Sequence, residues 1–260
     1  MTRVSGGEPF LIESYFCCRK EDWVILVGYP LDRDFTLDEL ETLIDKIKKR
    51  FRPGQFSLIA PDIPPSFVGS CQERESDDYF TLDIPVTTIK SGIRRLINKA
   101  KENVKVERAT KIRKAHQELT REFIERAKPP ARVKNLLSKI ADYVGHSKEV
   151  FVLNAWDAGN NLTAFYVVDL AAKDFTAYVV GCHSKANYAA GASDLLCLEM
   201  IKMSMEYGKN YIHLGLGVNR GIRQFKKKWG GTPTRRYEMC ELVFRRPSIL
   251  AALRAMGKIS

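Results

Sequence analysis

Residues 208–231 read Gly208-Lys-Asn-Tyr-Ile-His-Leu-Gly-Leu-Gly-Val-Asn-Arg-Gly-Ile-Arg-Gln-Phe-Lys-Lys-Lys-Trp-Gly-Gly231. An apolar strand ends in glycines and gives way to a helix with arginines in its first turn. Ile222, Phe225 and Trp229 fall on one helical face by their spacing, and Arg220, Arg223 and Lys227 lie off it. Backbone N–H groups at such a helix start lack intrahelical partners, and the helix dipole adds positive potential, so an anion can sit there. The alternative is an ordinary strand-to-helix turn with a solvated basic face.

The charge distribution bears on that choice. The chain has 260 residues and a net charge of +11. Residues 1–110 carry −1, residues 111–209 carry +3, and residues 210–260 carry +9. A basic excess gathered in the last fifth suggests a polyanionic partner: nucleic acid, a phosphorylated donor or an anionic membrane surface. The amphipathic sequence Ile249-Leu-Ala-Ala-Leu-Arg-Ala-Met256 keeps peripheral contact with an anionic membrane open. No apolar run is long enough to span a bilayer. The start of the chain has no signal-peptide core, so a cytoplasmic location is expected. Cys17, Cys18, Cys71, Cys182, Cys197 and Cys240 show no metal-ligand spacing with the four histidines. They are expected to be buried thiols in a reducing compartment, with no metal bound.

Working outward, Thr36 and Glu39 fit a capping box ahead of a helix carrying Leu37, Leu40, Ile44 and Ile47 on one stripe. A basic helix is predicted over 87–103 and a short strand over 104–109. Two helices parted by Pro129-Pro130 follow. Strands at 150–156 and 162–170 are joined by Asp157-Ala-Gly-Asn-Asn161, a hairpin turn by composition. A third strand ends at Cys182, a small-residue loop opens a buried helix over 191–207, and Gly208 is its C-cap. A strand near 236–245 and a helix from Pro247 close the chain. The order is mixed α/β.

That order resembles the GNAT acyltransferase core, and more specifically the FemAB-like branch with its two GNAT-like halves. Gly221-Ile-Arg-Gln-Phe-Lys-Lys-Lys-Trp-Gly-Gly231 is similar to the branch's G-[IL]-x-x-F-K-x-x-[FW]-G signature. Ala189–Leu196, ahead of a helix ending Glu206-Tyr-Gly208, resembles its loop-helix block. Asp78–Asp83 followed by Ser91–Lys99 resembles its inter-half element. The resemblance covers most of residues 75–245. It implies an α/β fold with a mixed sheet: a degenerate GNAT-like half over 1–105 and an acyltransferase half over 106–260, joined by helices.

It also implies transfer of an acyl or aminoacyl group to an amine on a small molecule or peptide. Donors in related families are acyl-CoA or aminoacyl-tRNA, both polyanions. A non-catalytic module binding RNA or an anionic surface on the same fold is the third reading. Amine acylation needs a base and donors for an oxyanion. His213 is the leading candidate for base or substrate contact, His183 the second and Asp169 the third. The loop residues Gly191, Ala192 and Ser193 and the helix-start residues Arg220, Arg223 and Lys227 are expected donor contacts, with Asn219 as an N-cap. Lys226–Lys228 form a solvated or RNA-facing stripe in this reading. Two departures stand out: Ala190 replaces the first glycine of the CoA pyrophosphate loop, and Phe225 replaces a helical tyrosine that protonates the leaving thiolate.

Overall fold

The computed structural model describes Val4 and residues 6–244. The chain forms two compact units, one of residues up to Asp78 together with those from Arg235, the other Tyr79–Thr234. The boundaries therefore fall at 78/79 and 234/235 rather than at 105/106. Residues 79–105 supply a strand and a helix to the second unit's sheet and core, which is why they group with it.

The first unit orders its strands β1 (Glu8–Ile12), β2 (Tyr15–Lys20), β3 (Trp23–Val27), β4 (Gln55–Ala60) and β11 (Thr232–Val243). Helix α1 (Leu37–Phe51) crosses between the parallel strands β3 and β4. Thr36 caps it through Glu39 N–H, and Leu40, Leu43, Ile44 and Ile47 are its buried face. A short helix α2 (Pro65–Val68) leads to β5 (Glu73–Asp83). The acidic run 73–78 forms the first half of that strand. Cys71 and Cys240 are joined in a disulfide, with Cα atoms 5.4 Å apart. The expectation of six thiols is corrected there: Cys17, Cys18, Cys182 and Cys197 are free and buried.

In the second unit the neighbours are β5, β10 (Tyr211–Leu216), β9 (Phe175–His183), β8 (Leu162–Asp169), β7 (Val150–Asp157) and β6 (Val104–Ala109). All pairs are antiparallel except β9 and β10. Strand β8 is buried along nearly its whole length, as a central strand covered on both faces should be. Helices α3 (Ser91–Asn103) and α7 (Ala192–Glu206) cover one face, over Tyr166, Val168 and Ile212. Helices α4 (Lys114–Ala127), α5 (Ala131–Ser138) and α6 (Ile140–Gly145) cover the other, over Val152, Phe165 and Val167. The helix expected after Pro129-Pro130 is broken at Lys139 into α5 and α6. Helix α8 (Arg220–Lys228) follows β10. Among the described residues no helix is long and apolar enough to cross a membrane. The segment 249–256 lies outside the described residues.

Candidate active site: a fork between two parallel strands

Strands β9 and β10 pair at only three positions, Tyr211↔Phe175, Ile212↔Thr176 and His213↔Ala177. Beyond them β9 stays paired to β8 as far as His183, and β10 stays paired to β5 as far as Leu216. Each strand follows its outer neighbour, so the two part and leave a fork. Irregularities in register mark the parting: between His213 and Gly215 on β10, and opposite Val167 and Val168 on β9. Gly215 has φ +73, a conformation that a Cβ would strain. Bulges of this kind end ladder pairing and re-aim a strand.

Helices α7 and α8 are tied together beside the fork. Asp194, in the first turn of α7 and 4% exposed, accepts from Trp229 Nε1 at 2.9 Å and from Lys228 Nζ at 2.8 Å. Lys226 is equally buried, and its ammonium donates to the Leu216 carbonyl at the end of β10. The expected solvated stripe Lys226–Lys228 is thus corrected. Two of the three lysines are spent on the protein's own acceptors, and only Lys227 is exposed. Trp229 is buried and Phe225 partly so, whereas Ile222, on the same spacing, is 37% exposed. Asn219 caps α8 as expected, accepting from Ile222 N–H at 3.0 Å. Arg220 and Arg223 are exposed on its first turn.

Gly191 has φ +84, and a Cβ there would lie 2.3 Å from the Leu96 carbonyl oxygen. This glycine is required by the close approach of α3. Ala192 is buried and Ser193 partly buried, its carbonyl accepting from the Tyr166 hydroxyl at 2.9 Å.

The three catalytic candidates do not converge. His213 stands at the last paired position of the fork, its ring 5.1 Å from Tyr79 and 6.1 Å from Phe175 between centroids. Asp169 is in the same row, opposite Ala177, but two strands away, roughly 10 Å. It accepts from the Tyr143 hydroxyl and from Ala171 N–H at 2.8 Å, which is a turn-capping role. His183 lies six residues further along β9, roughly 20 Å from the fork point, where it is exposed. Partial burial, with the Arg126 guanidinium adding, lowers its pKa against an opposing Glu122.

Two carboxylates occupy the places where a donor's phosphates would be sought. Glu122 of α4 accepts from Ser184 Oγ at 2.7 Å and Lys185 N–H at 2.6 Å, on the loop that follows β9. Burial opposes its ionisation, but the Lys185 N–H, Ser184, Arg126 and Ala186 N–H outweigh it and hold the carboxyl below its usual range. Asp194 lies in the first turn of α7, where its carboxylate is held by Lys228 and Trp229 and not by the helix's own N–H groups. Ala190 in the loop and the Leu96 carbonyl oxygen against Gly191 add a Cβ and a negative dipole beside the α7 N-terminus, which weakens it as a pyrophosphate cradle. A cavity of about 260 Å³ touches the loop at Asn187–Ala190, but its other walls are α3, Asp157 and Thr163 rather than β10. No group of metal-ligating side chains occurs among the described residues.

Sequence reading missed the buried histidine of this unit. His116 is fully buried on α4, its Nε2 2.8 Å from Asn154 Oδ1 and its Nδ1 accepting from Arg113 N–H at 2.9 Å. Asn154 in turn donates to Glu107, which also accepts from Trp156 and Arg113. An isolated histidine between helix signals carries no mark of such a network. It missed Asp194 too, although an acid in the first turn of a largely apolar helix was a usable sign.

No protein-family model matches the chain, and no curated protein does. Solved structures do. The C-terminal domain of a candidate lysylphosphatidylglycerol synthetase from Agrobacterium fabrum is 15% identical, with a TM-score of 0.59, covering 98% of this chain and 88% of that one. FemX is 11% identical with a TM-score of 0.58, covering 91% and 89%. A tandem GNAT protein from the clavulanic acid biosynthesis pathway is 9% identical with a TM-score of 0.56, covering 90% and 79%. At these identities the likeness is one of fold, and it agrees with the splayed parallel strands described above: the chain has the GNAT acyltransferase fold.

Proposed function

We propose that the chain is an acyltransferase that moves an acyl or aminoacyl group from a polyanionic donor to an amine. The observation that carries this is the fork. Parallel strands that separate after three pairs offer unladdered backbone N–H and C=O groups, against which an extended donor and a carbonyl oxygen can be held. In this reading the amine nitrogen attacks the donor carbonyl at the fork, and His213, at its apex, takes the proton or contacts the amine. His183 and Asp169 are the lesser candidates. Arg220, Arg223 and Lys227 hold donor phosphates from the exposed side of α8, where the fork opens and the helix dipole assists.

The choice of donor follows from the plugged loop. Ala190, the Leu96 carbonyl against Gly191 and the Glu122 carboxylate on the 184–185 loop favour an aminoacyl-tRNA over an acyl-CoA, because the former needs no pyrophosphate at the α7 N-terminus. Loop contacts from Gly191, Ala192 and Ser193 are then to the donor's acyl end rather than to phosphate. Two measurements separate the donors. Wild-type protein should show no thermal shift with millimolar acetyl-CoA. It should bind bulk aminoacylated tRNA with an affinity that falls steeply with salt, as counterion release requires. A stabilising shift with acetyl-CoA and salt-insensitive or absent tRNA binding would reverse the choice. The basic face alone would also serve a non-catalytic RNA-binding module; tRNA binding without transfer to any amine is the result that favours it.

A further inference from the structure

Tyr178 is the first residue of β9 beyond its last pair with β10, Ala177↔His213. The β10 irregularity faces it: a Cβ on Gly215 would lie 3.9 Å from the Tyr178 carbonyl oxygen. Its ring packs edge-on against Tyr166, centroids 4.9 Å apart, in the core under α7. The side chain leans along β9 away from the fork point, for a Cβ on Gly181 would meet the Tyr178 hydroxyl at 2.0 Å. Glycine at 181 is what admits the phenol there. So the hydroxyl lies over Gly181 on the α7 face of β9, beside Tyr166 and past the last β9–β10 pair.

The two tyrosines of this pair differ in one respect. Tyr166 donates its hydroxyl to the Ser193 carbonyl at 2.9 Å. The Tyr178 hydroxyl has no hydrogen-bond partner among the described residues. Tyr178 is half-buried and its hydroxyl is not sealed from solvent, so a ligand can reach it. Such a group invites a ligand-facing role.

We propose that the Tyr178 hydroxyl is a catalytic hydrogen-bond donor to the oxyanion formed during acyl transfer, an assignment that rests on the transfer reaction proposed above. The amine lone pair forms the new C–N bond while the carbonyl π pair moves onto oxygen, and the phenol O–H donates to that oxygen. When the pair returns, the ester C–O bond breaks. The leaving oxygen takes up the proton that the amine nitrogen loses, so amide and alcohol form with no net proton change. Tyr178 keeps its own proton throughout, and burial suits it to this by raising its pKa.

The test compares wild type with Tyr178→Phe in transfer from bulk aminoacylated tRNA to glycylglycine and to ethanolamine. Removing one oxyanion donor should lower kcat on the order of 100-fold, with KM changed by less than about twofold, as expected for an interaction made only in the transition state. The melting temperature of Tyr178→Phe should not fall below that of wild type, since no bond is lost. An unchanged kcat overturns the assignment, and so does a clear fall in melting temperature, which would reveal a structural partner. Failure of the wild type to transfer to either amine would overturn the transfer reading itself, and Tyr178 with it.

Discussion

The two units contain the same device in two states. Each has a strand, a crossover helix and a second parallel strand: β3–α1–β4 in the first unit, β9–α7–β10 in the second. In the first, five successive pairs run from Trp23↔Gln55 to Val27↔Ile59, and Gly28 N–H extends the ladder to the Ile59 carbonyl at 2.7 Å. In the second, three pairs form and the strands part. The closed pair is sealed by side chains as well, with Trp23 Nε1 donating to Ser57 Oγ and Ser57 donating to Glu241. A parallel crossover thus makes a site only where outer neighbours and bulges draw the strands apart. Topology alone does not distinguish an open parallel pair from a closed one.

The largest effect should come from cutting the tie that holds α7 to α8. Trp229→Ala removes a buried ring and leaves the Asp194 carboxylate short of a donor. Losses of about 3–5 kcal/mol are typical for a buried Trp→Ala change. Urea titration followed by unit-specific probes should show the second unit unfolding early and the first unit's transition unmoved. A loss below about 1 kcal/mol would mean that the tie is dispensable to the fork.

A smaller effect is expected at the glycine beneath α3. Gly191→Ala combines a positive φ with a carbonyl oxygen 2.3 Å from the new Cβ, whereas Gly208→Ala has φ +65 and nothing within 4 Å. Backbone strain alone costs about 1–3 kcal/mol at such a residue, so Gly208→Ala measures that share and Gly191→Ala should exceed it. Equal melting temperatures for the two variants would show that α3 yields at no cost, and that the glycine serves a ligand rather than packing.

Much of this contrast could be read from residues before any coordinates. The Thr36 cap, the Asn219 cap and the 157–161 hairpin are local hydrogen-bond chemistry, and local chemistry is legible. The GNAT-like order of elements followed from the same signals. What could not be read is which parallel pair would open, because a fork depends on which outer strands β9 and β10 follow. The fate of the lysines was hidden for a related reason. Lys226 and Lys228 have the spacing of a solvated face, and only tertiary acceptors, the Leu216 carbonyl and Asp194, draw them in. The separation of His213, Asp169 and His183 along a single sheet was equally invisible, since strand parity fixes a face but not a distance between strands.

The mildest perturbation exploits the histidines, all four of which lie in the second unit. His116 is the one whose titration should register. Burial is the main cause that lowers its pKa; the Arg113 charge adds to it, while the bond to Asn154 Oδ1 and the Glu107 charge oppose it. The geometry gives the same sign, because protonation would place a hydrogen on Nδ1 where it already accepts from Arg113 N–H. With a folded pKa below the unfolded value of about 6.5, the unfolded chain binds the proton more readily. The stabilising contribution is then complete above about pH 6.5 and is lost as pH falls through the folded pKa. His183 shifts the same way, but it is exposed and screened, so it adds little. Denaturant titrations between pH 7 and pH 5 should therefore destabilise the second unit and leave the first level. His116→Gln should be less stable at pH 7 but flatter across that range. An equal decline in both units, or an unchanged slope in His116→Gln, would locate the acid sensitivity in carboxylates common to the two halves instead of in the buried network beneath the forked one.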